Sequence, residues 1–116
     1  MRNREESRIQ QACVRWFRLQ YPRLARLLIA VPNGGGRSKV EAAIMKGEGV
    51  TAGASDLLLL VPSGGCPYLC IEMKTLKGRQ SPAQREWQDE VEQAGGRYVL
   101  CRSLEEFMNV INTYLM

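Results

Sequence analysis

The stretch GVTAGASDLLLLV, Gly49 to Val61, followed after a turn by YLCIEMK, Tyr68 to Lys74, decides how this chain folds. Leu57 to Val61 is a short, unbroken apolar run, the pattern of a strand buried on both faces. Pro62-Ser63-Gly64-Gly65-Cys66-Pro67 carries turn chemistry, so the two runs are expected to form an antiparallel hairpin. If Val61 pairs with Tyr68, Asp56 faces Met73 and has Glu72 and Lys74 as diagonal neighbours. Glu72 and Lys74 share one face, because strand side chains alternate. A register shifted by one residue sets Asp56 directly opposite Glu72 or Lys74. Either way, two carboxylates and an amine converge at one end of two otherwise apolar strands.

Working outward, Glu5 to Gln20 reads as a helix, with Ile9, Cys13, Trp16 and Gln20 near helical spacing and Ala12 and Phe17 beside them. Tyr21-Pro22 ends it. Leu27 to Val31 (LLIAV) suits a buried strand and stops at the loop Pro32-Asn33-Gly34-Gly35-Gly36. Arg37 to Lys46 is a short helix with Val40, Ala43 and Ile44 as its apolar side. Ser81-Pro82-Ala83-Gln84 opens another helix, with serine as N-cap, proline in the first turn and glutamine closing a capping box. Trp87, Val91 and Ala94 form its stripe, and Gly95-Gly96 closes it. Tyr98 to Cys101 is a fourth strand. Ser103 caps a last helix that buries Leu104, Phe107, Met108, Ile111 and Leu115. The helix between the third and fourth strands is of crossover length, which implies a parallel pair. The expectation is an α/β (α+β mixed) fold, a single domain over residues 1–116, in the order αβ(α)ββαβα. Its core is a four-stranded mixed sheet flanked by helices.

Composition narrows the chemistry. With 116 residues the chain can bury one core, and an apolar fraction of 45% is ordinary for a globular domain. There is no histidine, which excludes Ser-His-Asp and Cys-His catalysis and imidazole-bound metals. Cys13, Cys70 and Cys101 sit among apolar neighbours and read as core thiols of a reduced, intracellular protein, while Cys66 and Cys70 lack zinc-ligand spacing. No apolar run approaches membrane-spanning length, and Met1 to Arg8 is charged rather than signal-like, so a cytoplasmic location and no membrane partner are expected. A net charge of +4 leans weakly toward a polyanionic partner.

Asp56 beside Glu72 at the end of a buried strand is costly through like-charge repulsion. A hard divalent cation such as Mg2+ relieves that cost, because it takes one or two carboxylates together with waters and substrate phosphate. Such an ion polarises a phosphoryl oxygen, and Lys74 can orient the attacking water or stabilise developing charge. The plainer alternative is that Asp56 caps a loop and Glu72 and Lys74 form a solvated pair. Asn33, Gly34 and Arg37 in the glycine loop, with Lys39, Lys77 and Arg79, are candidates for DNA backbone contacts, against the alternative of a charged solvated surface. The glycine loop lacks the Gly-Lys-Ser/Thr of a nucleotide-binding loop, so no nucleotide cofactor is expected. Trp16 and Trp87 lie on apolar stripes and read as core rather than as base-stacking platforms.

Gly49 to Asp56, the leucine run, and Ile71-Glu72-Met73-Lys74 together resemble the PD-(D/E)XK nuclease core. The wider pattern resembles the stand-alone bacterial and phage VRR-NUC branch: Glu6 to Gln10 with Trp16 following, Pro32 to Gly35, and Ser81 to Gln84. Ser55 departs from it, since the family usually has proline there. The resemblance implies that Asp56, Glu72 and the backbone carbonyl of Met73 bind Mg2+ or Mn2+. It also implies that Lys74 is the catalytic lysine, that Glu6 is a helix carboxylate near the metal with Glu5 as its possible substitute, and that Gln84 lies beside the lysine. A helix dipole explains Glu6 equally well, and the capping box explains Gln84. The implied activity is DNA endonuclease on branched or structured DNA such as four-way (Holliday) junctions, by a homodimer. A nucleic-acid-binding module without catalysis, or an accessory protein of a replication or packaging assembly, is the rival reading.

Overall fold

A computed structural model describes residues 3–32 and 38–116. Asn33, Gly34 and Arg37, read above as DNA contacts, lie outside the described residues. The elements in chain order are α1 (Arg4–Gln20), a 3-10 helix (Pro22–Leu27), β1 (Leu28–Ala30), α2 (Lys39–Gly47), β2 (Leu57–Leu59), β3 (Leu69–Met73), α3 (Pro82–Gln93), β4 (Arg97–Cys101) and α4 (Leu104–Tyr114). The strands form one four-stranded sheet in the order β1-β2-β3-β4. β1, β2 and β3 are antiparallel, and β4 runs parallel to β3 after the α3 crossover. The expected fold class and element order hold; the 3-10 helix after Tyr21 is additional.

The hairpin register differs from the Val61–Tyr68 pairing. Leu57 pairs with Ile71 and Leu59 with Leu69, so the ladder continues with Asp56 opposite Glu72 rather than Met73. Matching of apolar side chains fixes this choice. Leu57, Leu59, Leu69, Ile71 and Met73 then share one face and join Cys13 and Phe17 of α1 and Phe107 and Ile111 of α4 in the main core. A shift of one residue would bring Glu72 into line with Leu57. The opposite face carries Leu58, Cys70, Tyr98 and Leu100 under Val91 and Trp87 of α3.

That second face is only partly covered, which corrects the expectation that Leu27–Val31 and Leu57–Val61 are buried throughout. Leu27 is 39% exposed, Ile29 40% and Leu60 47%, because β1 is an edge strand and α3 lies over the β3–β4 side. The apolar side of α2 is also turned to water, with Val40 70% and Ile44 56% exposed. Gln20 and Ala94, placed on buried stripes from spacing alone, are exposed at their helix ends. Tyr114 is buried, and its hydroxyl donates to the Val61 carbonyl at 2.6 Å, pinning the end of α4 to the hairpin loop. The cysteines are free thiols; burial pushes Cys13 and Cys101 up to about 12, so both are inert core groups. No helix of the described residues is long and apolar enough to cross a membrane.

Candidate active site

The register places Asp56 and Glu72 side by side where β2 and β3 begin to part, and both are buried, at 4% and 2% exposure. Asp56 Oδ2 accepts the backbone N–H of Met73 at 2.7 Å, which holds the start of β2 against the end of β3. Glu72 Oε2 accepts from Gln84 Nε2 at 3.0 Å, and Lys74 Nζ lies 4.0 Å from the same oxygen. Glu72 Oε1 is buried and receives no hydrogen bond from a protein donor. A buried oxygen without a donor is costly in a folded protein.

The electrostatics follow from this geometry. Burial first, then the Asp56 charge and a hydrogen bond with the Asp56 carboxylate, push Glu72 up to about 9. Lys74 pulls it back down, and Glu6 adds a smaller upward push. Without further positive charge, Glu72 therefore keeps its proton at neutral pH.

The donor set fits a hard divalent cation. Two adjacent buried carboxylates suit an ion that completes its shell with water and phosphate. Among the described residues no group of three or more His, Cys, Asp or Glu side chains could hold a metal ion, so Glu6 does not complete a three-carboxylate set with Asp56 and Glu72. Glu6 is half-buried on the first turn of α1 and contributes to the field at Glu72, whereas Glu5 is exposed, so Glu6 is the inward carboxylate of the two. Gln84 completes the capping box, its oxygen accepting the Ser81 N–H at 2.8 Å, and its amide nitrogen donates to Glu72, the residue Lys74 also approaches. Lys39, Lys77 and Arg79 are exposed. A hollow of about 690 Å3 between α2, Gly53 and the start of α3 has Gln84 on its wall.

Several supporting residues escaped the reading of the sequence. Gly53, at φ +83°, lies so close to α3 that a Cβ there would stand 2.3 Å from the Ala83 carbonyl oxygen. Ser55, fully buried, accepts the Trp87 indole N–H at 3.2 Å. The Asp56 segment is thus fastened to the helix that supplies Gln84. Trp87 packs against the second core cluster, as its stripe position suggests, and its indole N–H also ties the Asp56 segment to α3. Arg102 Nη1 donates to the carbonyls of Thr75 at 2.7 Å, Leu76 at 3.2 Å and Gly78 at 2.6 Å, fixing the loop that follows Lys74. The parallel pairing of β3 with β4 sets Arg102 beside Lys74, an adjacency across strands that no sequence pattern marks.

No curated protein matches the chain. A solved structure named "VRR_NUC domain protein" superimposes with a TM-score of 0.84 at 25% identity, covering 99% of this chain and 91% of that one. The VRR-NUC domain family model matches residues 4–105, a span that takes in every element from α1 to the start of α4 and all of the carboxylate, lysine and glutamine positions described above. The chain belongs to the VRR-NUC family of nuclease-type domains.

Proposed function

We propose that the protein is a divalent-metal-dependent DNA endonuclease. The observation that carries this reading is the buried Asp56–Glu72 carboxylate pair with Lys74 Nζ 4.0 Å from Glu72 Oε2. Asp56, Glu72 and the Met73 carbonyl would hold Mg2+ or Mn2+, with Glu6 as a further nearby carboxylate. The bound ion supplies Lewis-acid polarisation of the scissile phosphate and neutralises its charge. Gln84 Nε2 donates to Glu72 Oε2 and would orient that carboxylate toward the ion. The Met73 N–H orients Asp56. The Lys74 ammonium orients the attacking water and stabilises the negative charge that builds on the phosphoryl oxygens. Lys39, Lys77 and Arg79 contact the DNA backbone without reading its sequence.

The substrate we favour is branched or structured DNA, on which a homodimer cuts two strands related by its two-fold axis. The exposed strip Leu27, Ile29 and Leu60 at the β1 edge offers apolar area for a second copy. The protein acts inside the cell. The test is to present supercoiled plasmid, linear duplex and a synthetic four-way junction to the native chain with Mg2+, Mn2+ or EDTA. Metal-dependent nicking, strongest on the junction, supports the reading. Folded protein that binds DNA but cuts none of these leaves a binding module in its place.

A further inference from the structure

The loop between Lys74 and α3 carries an apolar tip that the catalytic reading does not use. Leu76 is 79% exposed at its tip, and Lys77 and Arg79 beside it are exposed. The loop is nevertheless tightly held. Arg102 Nη1 engages the carbonyls of Thr75, Leu76 and Gly78, and the Gly78 N–H closes a turn on the Thr75 carbonyl at 3.1 Å. Arg102 is itself fixed at the start of α4, where its backbone N–H donates to Glu106 Oε1 at 2.7 Å. Gly78 packs back on the Lys74 stem, with the position of a Cβ only 3.4 Å from Lys74 Cδ. A guanidinium spent on backbone carbonyls stiffens a loop whose tip shows a large apolar side chain to water. That exposure gains nothing for the fold.

Resting on the nuclease reading, we propose that Leu76 is a wedge that enters an unstacked base step of branched DNA next to the cleaved phosphate, with Lys77 and Arg79 on the flanking phosphates. Leu76 is two residues beyond Lys74, so its Cα lies within about 7 Å of the lysine's at the reach of an extended chain. That distance is about two base steps of a duplex. Apolar side chains set between basic ones are the usual means of prising a step apart, and unstacking is least costly where a branch has already disrupted it. A flexible loop would lose much of the gain to ordering on contact. The Arg102 clamp removes that cost in advance.

The experiment places 2-aminopurine at the branch of a four-way junction and follows its fluorescence on binding the native chain, Leu76→Ala and Leu76→Phe in Ca2+. Cleavage of the junction and of a linear duplex is then measured in Mg2+, with circular dichroism checking the fold. The native chain should raise the fluorescence. Leu76→Ala should lose most of that rise and lower the junction-to-duplex cleavage ratio by about tenfold, the equivalent of part of one unstacked step, while Leu76→Phe keeps both. A native chain that cuts the junction with no rise in fluorescence, or a Leu76→Ala chain that retains either the rise or the ratio, overturns the wedge and leaves the nuclease reading standing. A native chain that neither binds nor cuts any DNA overturns both.

Discussion

Replacing Glu72 by glutamine should stabilise the metal-free protein while removing its response to metal. Glu72 is raised from 4.5 to about 9 in the folded chain. A carboxyl group raised in this way contributes its full stability below about 4.5, loses it as pH rises through the window to about 9, and contributes none above that. At pH 7 the folded chain therefore holds a proton that the unfolded chain has released. At about 1.4 kcal/mol per pH unit, the loss accumulated between 4.5 and pH 7 reaches about 3 kcal/mol. Glutamine needs no proton. Its oxygen can accept from Gln84 Nε2, and its amide can donate to Asp56 where the shared proton stood. We expect Glu72→Gln to recover about 2 kcal/mol, a rise in Tm of roughly 5–10 °C for a domain of this size. The assay is thermal unfolding from pH 5 to 9 in EDTA and again in Mg2+. The native chain should lose stability with rising pH in EDTA and regain it in Mg2+, with tighter metal binding at higher pH, because the ion displaces the proton. Glu72→Gln should show a flattened pH slope and no gain from Mg2+. A Glu72→Gln chain that melts lower than the native one in EDTA at pH 7, or that is stabilised equally by Mg2+, refutes the reasoning.

Three further outcomes follow from particular contacts. Gly53→Ala sets a Cβ 2.3 Å from the Ala83 carbonyl at φ +83°, and should cost at least about 2 kcal/mol in urea unfolding by prising α3 from the Asp56 segment. Ser55→Ala and Trp87→Phe each remove one end of the same tether, should each cost about 1 kcal/mol and weaken Mg2+ binding in calorimetry, and should be non-additive together; full additivity would show that the bond does not act as a unit. Ile29→Arg on the exposed β1 edge should shift a dimer toward monomer in light scattering without lowering Tm, since Ile29 is 40% exposed and supports little of the monomer's own core.

Much of this architecture was legible because its signals are local. The capping box at Ser81–Gln84, the crossover between β3 and β4, and the carboxylates flanking apolar strands can all be read from neighbouring residues. The register was not, because it depends on which leucines meet the helices of α1 and α4; counting back from the turn missed by one residue, since residues 60–68 form a loop with its own Ser63–Cys66 bridge rather than a tight turn. The exposed β1 edge was misread for a related reason. An apolar run looks the same whether a helix covers it or nothing does. Ser55, Gly53 and Arg102 were invisible because their partners Trp87, Ala83 and the Thr75–Gly78 carbonyls are distant in sequence or belong to the backbone, which leaves no pattern to read.

The central claim, that Asp56, Glu72 and Lys74 form one metal-dependent centre for cutting DNA, is tested most directly by single-turnover cleavage of a labelled junction with Mg2+ or EDTA, comparing the native chain with Asp56→Asn and Lys74→Ala. The account predicts cutting by the native chain that EDTA abolishes, and a loss of at least about a hundredfold in both variants, with junction binding retained. Cleavage that persists in EDTA, or that survives Asp56→Asn at the native rate, would contradict it.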